Sequence, residues 1–156
     1  MAERDKLLAA VRESVTAYCR SQHDFSFSPN DPVVRLHEPT FGADEIIAAV
    51  ECLLDTRVTM GPKAKGFEEE FARTFGFDHG VMNNSGSSAN LLAISSLANP
   101  QTENGLSRGD EVIVPALSWS TTVWPLIQNG LIPVVVDIDP ASLNICPGGI
   151  EHAIGP

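Results

Sequence analysis

The chain of 156 residues has a formal net charge of −10, from 10 basic and 20 acidic residues, and 43% of its residues are hydrophobic. This length suits one domain of ordinary size, and the apolar fraction is typical of a globular chain rather than a disordered one. Because a net negative chain without a basic stripe does not wrap a nucleic-acid backbone, nucleic acid is excluded as the expected partner.

The N-terminus and the cysteines indicate the compartment. The first six residues carry mixed charges and no run of about 18 apolar residues occurs, so the sequence predicts neither a signal peptide nor a membrane span. Three widely spaced cysteines, Cys19, Cys52 and Cys146, argue against a disulfide framework and against a zinc site. The sequence therefore predicts a soluble cytoplasmic protein with free thiols.

The first 40 residues are predicted to form a helix and an arm. Apolar residues recur at spacings of three and four from Leu7 to Cys19, which predicts an amphipathic helix. Residues 21–40 are polar and interrupted by three prolines, which is typical of a tethering arm rather than a core element.

Two further helices are predicted before residue 80. One extends from about Ala43 to Leu54, with its apolar residues on one face. The other contains three phenylalanines at i, i+4 spacing and ends at Gly76, a residue type favoured at a C-terminal cap. Its acidic run, residues 68–70, is expected near the N-terminal end, where the helix dipole favours negative charge.

Strand and helix patterns alternate after residue 80. A short extended segment at residues 81–84 leads into a helix with apolar residues from Leu91 to Leu97. An apolar strand follows at Glu111–Pro115, then a helix at about residues 121–129 and a second apolar strand at residues 132–138. The valine-rich runs lack alternation, as expected for strands buried on both faces of a parallel sheet. The order predicts an α/β fold with right-handed crossovers.

The stretch Ser-Gly-Ser-Ser at residues 85–88 lies between the predicted extended segment and its helix. Free backbone N–H groups, the helix dipole and the hydroxyls would together form a cradle for a phosphate, and Gly86 would let the backbone approach the anion. An ordinary serine N-cap explains the stretch equally well. No glycine fingerprint or following acidic residue is present, which disfavours a Rossmann-like nucleotide binder.

An aromatic residue follows the first apolar strand. Trp119 precedes the next helix, and a ring placed there beside a phosphate cradle is suited to stack on a flat ligand. Trp124 falls inside that helix, where packing in a core or an interface is the better interpretation.

The other polar residues indicate no second site. Asp137 and Asp139 follow the last strand and are candidates to hold a ligand hydroxyl, although a turn into Pro140 explains Asp139 equally well. The four histidines show no metal-like pairing and no partnered nucleophile, so neither a metal site nor a Ser-His-Asp triad is predicted.

Several motifs together resemble the DegT/DnrJ/EryC1/StrS family, from about Pro39 onward. The motifs are Gly61-Pro62-Lys63, Phe67-Glu68, Asn84-Ser85-Gly86-Ser87-Ser88-Ala89-Asn90-Leu91, Gly109-Asp110-Glu111-Val112-Ile113-Val114-Pro115, Asn129-Gly130, Pro133-Val134 and Val136-Asp137-Ile138. Members of this family are sugar-nucleotide aminotransferases and related dehydratases that use pyridoxal 5′-phosphate (PLP).

The resemblance implies the N-terminal part of the large domain of a fold type I PLP-dependent transferase, a truncated three-layer αβα arrangement around a mostly parallel sheet. Residues 1–40 would form an N-terminal helix and arm, and residues 41–156 a partial PLP-binding domain without its C-terminal half or the small domain. The resemblance also implies PLP as cofactor, a homodimer, a nucleotide-sugar substrate and an amino-acid donor.

The resemblance also assigns site residues. For the cofactor these are Gly86, Ser87, Ser88 and Trp119, and for the substrate Gly61 and Lys63. The serines would hold the cofactor phosphate, and Trp119 would stack on the pyridine ring.

Two groups that the family needs have no counterpart in this sequence. These are the lysine that forms the aldimine, since no lysine follows Lys65, and the carboxylate that pairs with the pyridine nitrogen. Without the amine no Schiff base forms, so we expect no catalytic residue here and no activity from this chain alone.

For the complete enzyme the first interpretation is amino transfer, with glutamate as donor, to a nucleotide-linked keto-sugar in polysaccharide or antibiotic sugar biosynthesis. A sugar 3-dehydratase of the same family, and a non-catalytic binding or interaction module derived from it, are the alternatives.

Overall fold

The computed structural model describes residues 3–24, 26–37, 40–56 and 58–154. The chain forms two compact units: unit 1, Met1–Gly80, and unit 2, Val81–Pro156. Pro39, where the family resemblance begins, lies outside the described residues. The predicted domain division at residue 40 stays a prediction.

Unit 1 contains the three predicted helices: α1 (Glu3–Gln22), α2 (Ala43–Leu54) and α3 (Pro62–Phe75). The limits of α2 are those predicted from its apolar spacing. Pro62 lies in the first turn of α3, where its fixed φ favours helix and its missing N–H costs nothing. Gly76 ends α3 with a left-handed φ of 74°, which confirms the predicted glycine cap.

The acidic run of α3 lies in the middle of the helix, so the expectation that residues 68–70 stabilise its N-terminal end is wrong. The helix begins at Pro62, a turn or more before the phenylalanine spacing indicates. Within the helix, Glu69 Oε1 lies 3.8 Å from Lys65 Nζ, and Glu70 Oε1 lies 4.0 Å from Arg73 Nη2. The run therefore forms ion pairs along the helix surface instead of meeting its dipole.

None of the described residues between α1 and α2 is fully buried. Every described residue from 26 to 37 is exposed, and Ser28 pairs with Asp31 across a tight turn. The tethering-arm interpretation stays a prediction.

Unit 2 combines helices with a parallel strand pair. In chain order its elements are α4 (Gly86–Leu97), β1 (Glu111–Pro115), a 3₁₀ turn (Ser120–Thr122), α5 (Trp124–Gln128), β2 (Ile132–Val136) and α6 (Pro147–Ile154). The strands pair in parallel with Glu111 opposite Ile132 and Pro115 opposite Val136. The parallel pairing and the limits of β1 confirm the α/β prediction.

Two details of the predicted sheet are wrong. Residues 81–84 form no strand, because a strand needs a neighbour and no described residue pairs with them. Burial on both faces is also incomplete, since Val135 is 62% exposed and Ile132 is 48% exposed. The described residues of unit 2 supply too few elements to cover both faces of the pair.

The core of unit 2 lies between the strand pair and the helices. It consists of Val114, Leu126 and Leu131, with Ile94 of α4 packed against it. Gly130 follows α5 with a φ of 75°, and its carbonyl accepts a hydrogen bond from Gly109 N at 2.9 Å. This core supports α4 through Ile94 and the turn before α5 through Val123.

Candidate functional site

Ser85 caps α4 and leaves two backbone donors unused. Its Oγ accepts from Ser88 N at 3.2 Å, and its carbonyl accepts from Ala89 N at 3.0 Å. The N-cap interpretation is thus confirmed, and the phosphate-cradle interpretation is compatible with it. The N–H groups of Gly86 and Ser87 have no hydrogen-bond partner in the part of the chain that the structure describes, so they are available to an anion.

The space beside Gly86 is open. A Cβ added there would meet no protein atom within 4 Å, and Gly86 does not have a left-handed φ. Neither the backbone nor the neighbouring protein atoms therefore require a glycine at this position. A ligand that approaches the backbone closely does require one, and an added methyl group would occupy its space.

The two candidate serines differ in their surroundings. Ser87 is exposed, and its hydroxyl has no hydrogen-bond partner among the described residues. Ser88 is half-buried, and its Oγ lies 3.3 Å from Ser85 Oγ, within hydrogen-bond distance. Ser87 is therefore the more available donor to a ligand, and Ser88 belongs to the capping arrangement.

Trp119 extends from the loop after β1. Its side chain is 75% exposed, so within unit 2 it is not a packing residue. Its carbonyl accepts from Thr122 N at 2.9 Å and from Ser118 Oγ at 3.1 Å, which fixes the backbone while leaving the ring accessible. Trp124 is 57% exposed, so core packing is wrong for it; packing in an interface stays a prediction.

A side-chain amide joins the two candidate elements. Asn90 Nδ2 of α4 donates to the carbonyl of Thr121, in the turn that follows Trp119, at 3.3 Å. The sequence motifs predict no role for Asn90. The sequence feature that could have indicated a role is an exposed asparagine in an early helical turn, since asparagine is less favourable in a helix than the common helix formers.

Charge around the candidate cradle is sparse. Nine of the ten Lys and Arg residues fall in residues 1–80, and Arg108 is the one in residues 81–156. The Arg108 side chain lies against the backbone of Gly130, where its Cγ would be 3.0 Å from an added Cβ. Within unit 2, backbone N–H groups and hydroxyls are therefore the main donors to an anion.

The two predicted substrate residues lie in unit 1. Gly61 is the N-cap of α3, and Lys63 Nζ in the first turn lies 3.5 Å from Glu51 Oε2. The other carboxylate oxygen of Glu51 accepts from Arg12 Nε at 2.8 Å. The hydrogen bond from Arg12, with a smaller contribution from Lys63, holds the pKa of the Glu51 carboxyl below its usual value.

The aspartates after β2 stabilise a turn. Asp139 Oδ1 accepts from Ala141 N at 2.9 Å and its Oδ2 from Ser142 Oγ at 3.0 Å, which lowers the pKa of this carboxyl. This confirms the turn interpretation of Asp139. Asp137 Oδ1 accepts from Ile138 N at 2.8 Å.

The structure also bears on thiols, metals and membranes. Cys19, Cys52 and Cys146 are free thiols, as predicted. The described residues contain no cluster of three or more His, Cys, Asp or Glu side chains suited to a metal ion. Within the same residues, no helix has both the length and the apolar composition needed to cross a bilayer.

The described structure is an α/β segment in which the first N–H groups of α4 lack partners among the described residues and the Trp119 ring is exposed. The model of the DegT/DnrJ/EryC1/StrS aminotransferase family matches residues 39–156, and the chain belongs to this family.

Curated relatives of the chain include sugar 3-dehydratases. The chain is 41% identical to dTDP-4-dehydro-2,6-dideoxy-D-glucose 3-dehydratase of Saccharopolyspora spinosa, over 97% of this chain and 32% of that protein. It is 47% identical to GDP-4-keto-6-deoxy-D-mannose 3-dehydratase of Escherichia coli O55:H7, over 68% of this chain and 27% of that protein. The chain thus spans about a third or less of the length of these relatives.

Solved structures of similar proteins include both enzyme types. The E. coli GDP-4-keto-6-deoxy-D-mannose-3-dehydratase with bound hydrated PLP has a TM-score of 0.68 and 44% identity, over 78% of this chain and 31% of that one. The aminotransferase from Psychrobacter cryohalolentis has a TM-score of 0.65 and 28% identity, over 81% and 29%. The fold type I prediction is therefore confirmed, and PLP is the cofactor of this family.

Proposed function

We propose that unit 2 contributes the phosphate-binding and ring-stacking side of a PLP site in an enzyme that acts on a nucleotide-linked keto-sugar. The observation that carries the proposal is the start of α4, where the N–H groups of Gly86 and Ser87 lack partners among the described residues and the space beside Gly86 is open. Membership of a PLP-dependent family supports the identity of the anion.

The residues of unit 2 bind and orient the cofactor in this proposal. When bound, PLP supplies an electron sink for reaction at the substrate carbon. The N–H groups of Gly86 and Ser87 and the Ser87 hydroxyl donate to the phosphate, and Ser88 stabilises the cap behind them. The Trp119 indole covers one ring face, excludes water from it and restricts rotation about the phosphate anchor.

Two reactions on the sugar fit the family. The 3-dehydratase interpretation is favoured because the dehydratase relatives share 41–47% identity with this chain, whereas the similar aminotransferase structure shares 28%. Amino transfer with glutamate as donor, the first interpretation of the sequence, is the second candidate, supported by the family description and by that structure.

The remaining assignments rest on the resemblance. We propose that Gly61 and Lys63 contribute to nucleotide-sugar binding and that two chains form a homodimer in the cytoplasm. Because the chain spans about a third or less of the length of its curated relatives, we expect the 156 residues alone to bind the cofactor without turning over substrate.

The test uses pyridoxamine 5′-phosphate, whose amine cannot form a Schiff base with surface lysines. In a Trp124→Phe background, Trp119 is the single tryptophan of the chain and its fluorescence reports ligand stacking. We expect pyridoxamine 5′-phosphate to quench Trp119, inorganic phosphate to compete with it, and pyridoxamine without phosphate to bind at least tenfold more weakly.

Two substitutions at the start of α4 locate the binding. Gly86→Ala places a methyl group in space that no described protein atom occupies. A loss of affinity without a loss of stability would therefore show that the methyl group takes space the ligand needs. Ser87→Ala should weaken binding about three- to tenfold, the range of one hydrogen bond. Ser96→Ala, an exposed serine near the other end of α4, is the matched control and should change nothing.

Three results would contradict the proposal. The first is that the phosphorylated and unphosphorylated ligands bind equally. The second is that Gly86→Ala and Ser96→Ala behave alike. The third is that quenching persists after Trp119 is replaced and Trp124 retained, because the reporter would then lie elsewhere.

A further inference from the structure

Asn90 lies on the same face of α4 as Ser87, one helical turn further along. Residues three apart on a helix are surface neighbours, so the side chain at position 90 lies next to that of Ser87, one turn from the candidate phosphate cradle. Its Nδ2 donates at 3.3 Å to the carbonyl of Thr121, which belongs to a different element of unit 2. A single amide thus spans from the helix to the loop that follows β1.

The accepting turn also carries Trp119. Thr122 N donates to Trp119 O at 2.9 Å, which closes the 3₁₀ turn and makes Trp119 and Thr121 parts of one rigid unit. The indole itself is 75% exposed and has little packing to orient it. The position of the ring relative to α4 therefore depends on how the turn is attached to that helix.

We infer that Asn90 is a positioning residue that sets the Trp119 ring at a fixed place relative to the start of α4. The inference rests on the proposed function, because the position of the Trp119 ring matters only if one ligand contacts both that ring and the phosphate cradle. Asn90 need not touch the cofactor in this role; it acts through the Thr121 carbonyl and the turn.

Unit 2 contains a matched comparison residue, Asn129. Its Nδ2 donates to Ser95 Oγ at 3.1 Å and to Pro125 O at 2.8 Å, so it also joins α4 to the following elements through a side-chain amide. Ser95 lies two turns or more beyond Ser87 along α4, away from the candidate cradle. Replacing Asn129 should cost stability without moving the Trp119 turn.

The first experiment needs no ligand. In the Trp124→Phe background, Asn90→Leu removes the donor with a side chain of similar size, and time-resolved fluorescence anisotropy measures the motion of Trp119. We expect faster local motion in Asn90→Leu and no change in Asn129→Leu. Asn90→Ala, which favours helix, is the second variant in case the leucine variant does not fold.

The second experiment is a double-mutant cycle on pyridoxamine 5′-phosphate affinity. Asn90→Leu should weaken binding about three- to tenfold when Trp119 is present, the range of one hydrogen bond. In a Trp119→Ala background, read by calorimetry, the same substitution should have no further effect, because the group that Asn90 positions is gone. Asn129→Leu should leave the affinity unchanged in both backgrounds.

The outcomes separate this inference from the proposed function. If the unsubstituted chain does not bind pyridoxamine 5′-phosphate, the proposed function is overturned, while the anisotropy still decides whether Asn90 holds the turn. A second case is that the chain binds pyridoxamine 5′-phosphate and Ser87→Ala weakens this binding. The positioning role of Asn90 alone is then overturned if Asn90→Leu and Asn129→Leu have equal effects. It is also overturned if the affinity losses from Asn90→Leu and Trp119→Ala are additive.

Discussion

Unit 1 and unit 2 differ in how much apolar surface they bury. Among the described residues, Cys19 and Ala72 are the buried hydrophobic side chains of unit 1. In unit 2 the cluster of Val114, Leu126 and Leu131 joins strand, helix and loop. Burial of a large aliphatic side chain contributes about 1.5–3 kcal/mol, so unit 2 has the stronger apolar support.

Ion pairs also join the helices of unit 1. Arg4 of α1 pairs with Asp55 after α2, and Glu51 of α2 pairs with Arg12 and Lys63. Exposed ion pairs of this kind contribute little each, typically about 0–1 kcal/mol. The candidate cofactor residues thus lie on the unit with the apolar core, where a rigid support can keep the residues that hold a ligand in place.

The largest expected effect is at Leu126, which is 1% exposed. Leu126→Ala removes the side chain that α5 inserts into the core, and we expect unit 2 to lose about 2–5 kcal/mol. Urea unfolding followed by tryptophan fluorescence measures this, because both tryptophans lie in unit 2. Ile127→Ala, next in the helix but 49% exposed, should cost far less. Equal losses would show that the apolar cluster does not dominate unit 2.

A smaller loss is expected at Gly130, where the backbone has a φ of 75°. Alanine would adopt this left-handed conformation at a cost of about 1–2 kcal/mol, and its Cβ would approach Arg108 Cγ to 3.0 Å. Gly148→Ala in α6 is the control, since its Cβ would meet nothing within 4 Å. A Gly130→Ala variant as stable as the control would contradict the expectation that alanine is strained between α5 and β2.

The cap of α4 should contribute about 1 kcal/mol. Ser85→Ala removes the oxygen that accepts from Ser88 N, and N-cap losses of this kind cost about 0.5–2 kcal/mol. Hydrogen exchange at the first amides of α4 measures the loss locally, with Ser96→Ala as control. Ser85→Asp should restore protection, because aspartate also accepts at an N-cap. If aspartate does not restore it, the serine acts through something other than its oxygen.

Much of the fold follows from local sequence patterns. Apolar spacing predicts α1 and α2, since one face of each helix carries the periodic residues, and Gly76 ends α3 because its φ of 74° suits glycine. β1 has its predicted limits because a short valine-rich run that ends at a proline pairs along its whole length with β2. These features are set within one element, and sequence alone shows them.

Local sequence patterns predict less well the features that depend on a partner elsewhere in the chain. Residues 81–84 are predicted to be extended, but no described residue pairs with them and they form no strand. Similarly, the phenylalanine spacing places α3 but does not reveal that the helix starts at Pro62, which moves the acidic run to its middle.

The candidate site also combines features that a local sequence pattern predicts with one that depends on a distant partner. The serine-rich start of α4 and the exposed Trp119 follow from motif and position. The hydrogen bond from Asn90 to Thr121 spans 31 residues, and no local pattern predicts a pair at that separation.

The smallest effect is expected at Glu51, and it should depend on pH. Arg12 and Lys63 hold the pKa of this carboxyl below its usual value, so its contribution to folding is fully present above the unfolded-state pKa of about 4.3. The contribution is lost as the pH falls through the lower folded-state value. Hydrogen exchange at α1 amides between pH 6 and pH 3 should therefore show weakening of unit 1 that Glu51→Gln abolishes.

The matched control for Glu51 is Glu69→Gln. Glu69 pairs with Lys65 within α3 and joins no second helix, so its replacement should leave the pH dependence of α1 unchanged. Salt provides an independent check, because added ions screen exposed pairs and should reproduce part of the Glu51→Gln effect at neutral pH. If neither acid nor salt loosens α1 in the unsubstituted chain, apolar contacts between α1 and α2 hold unit 1 together. The contrast between the two units would then be one of degree.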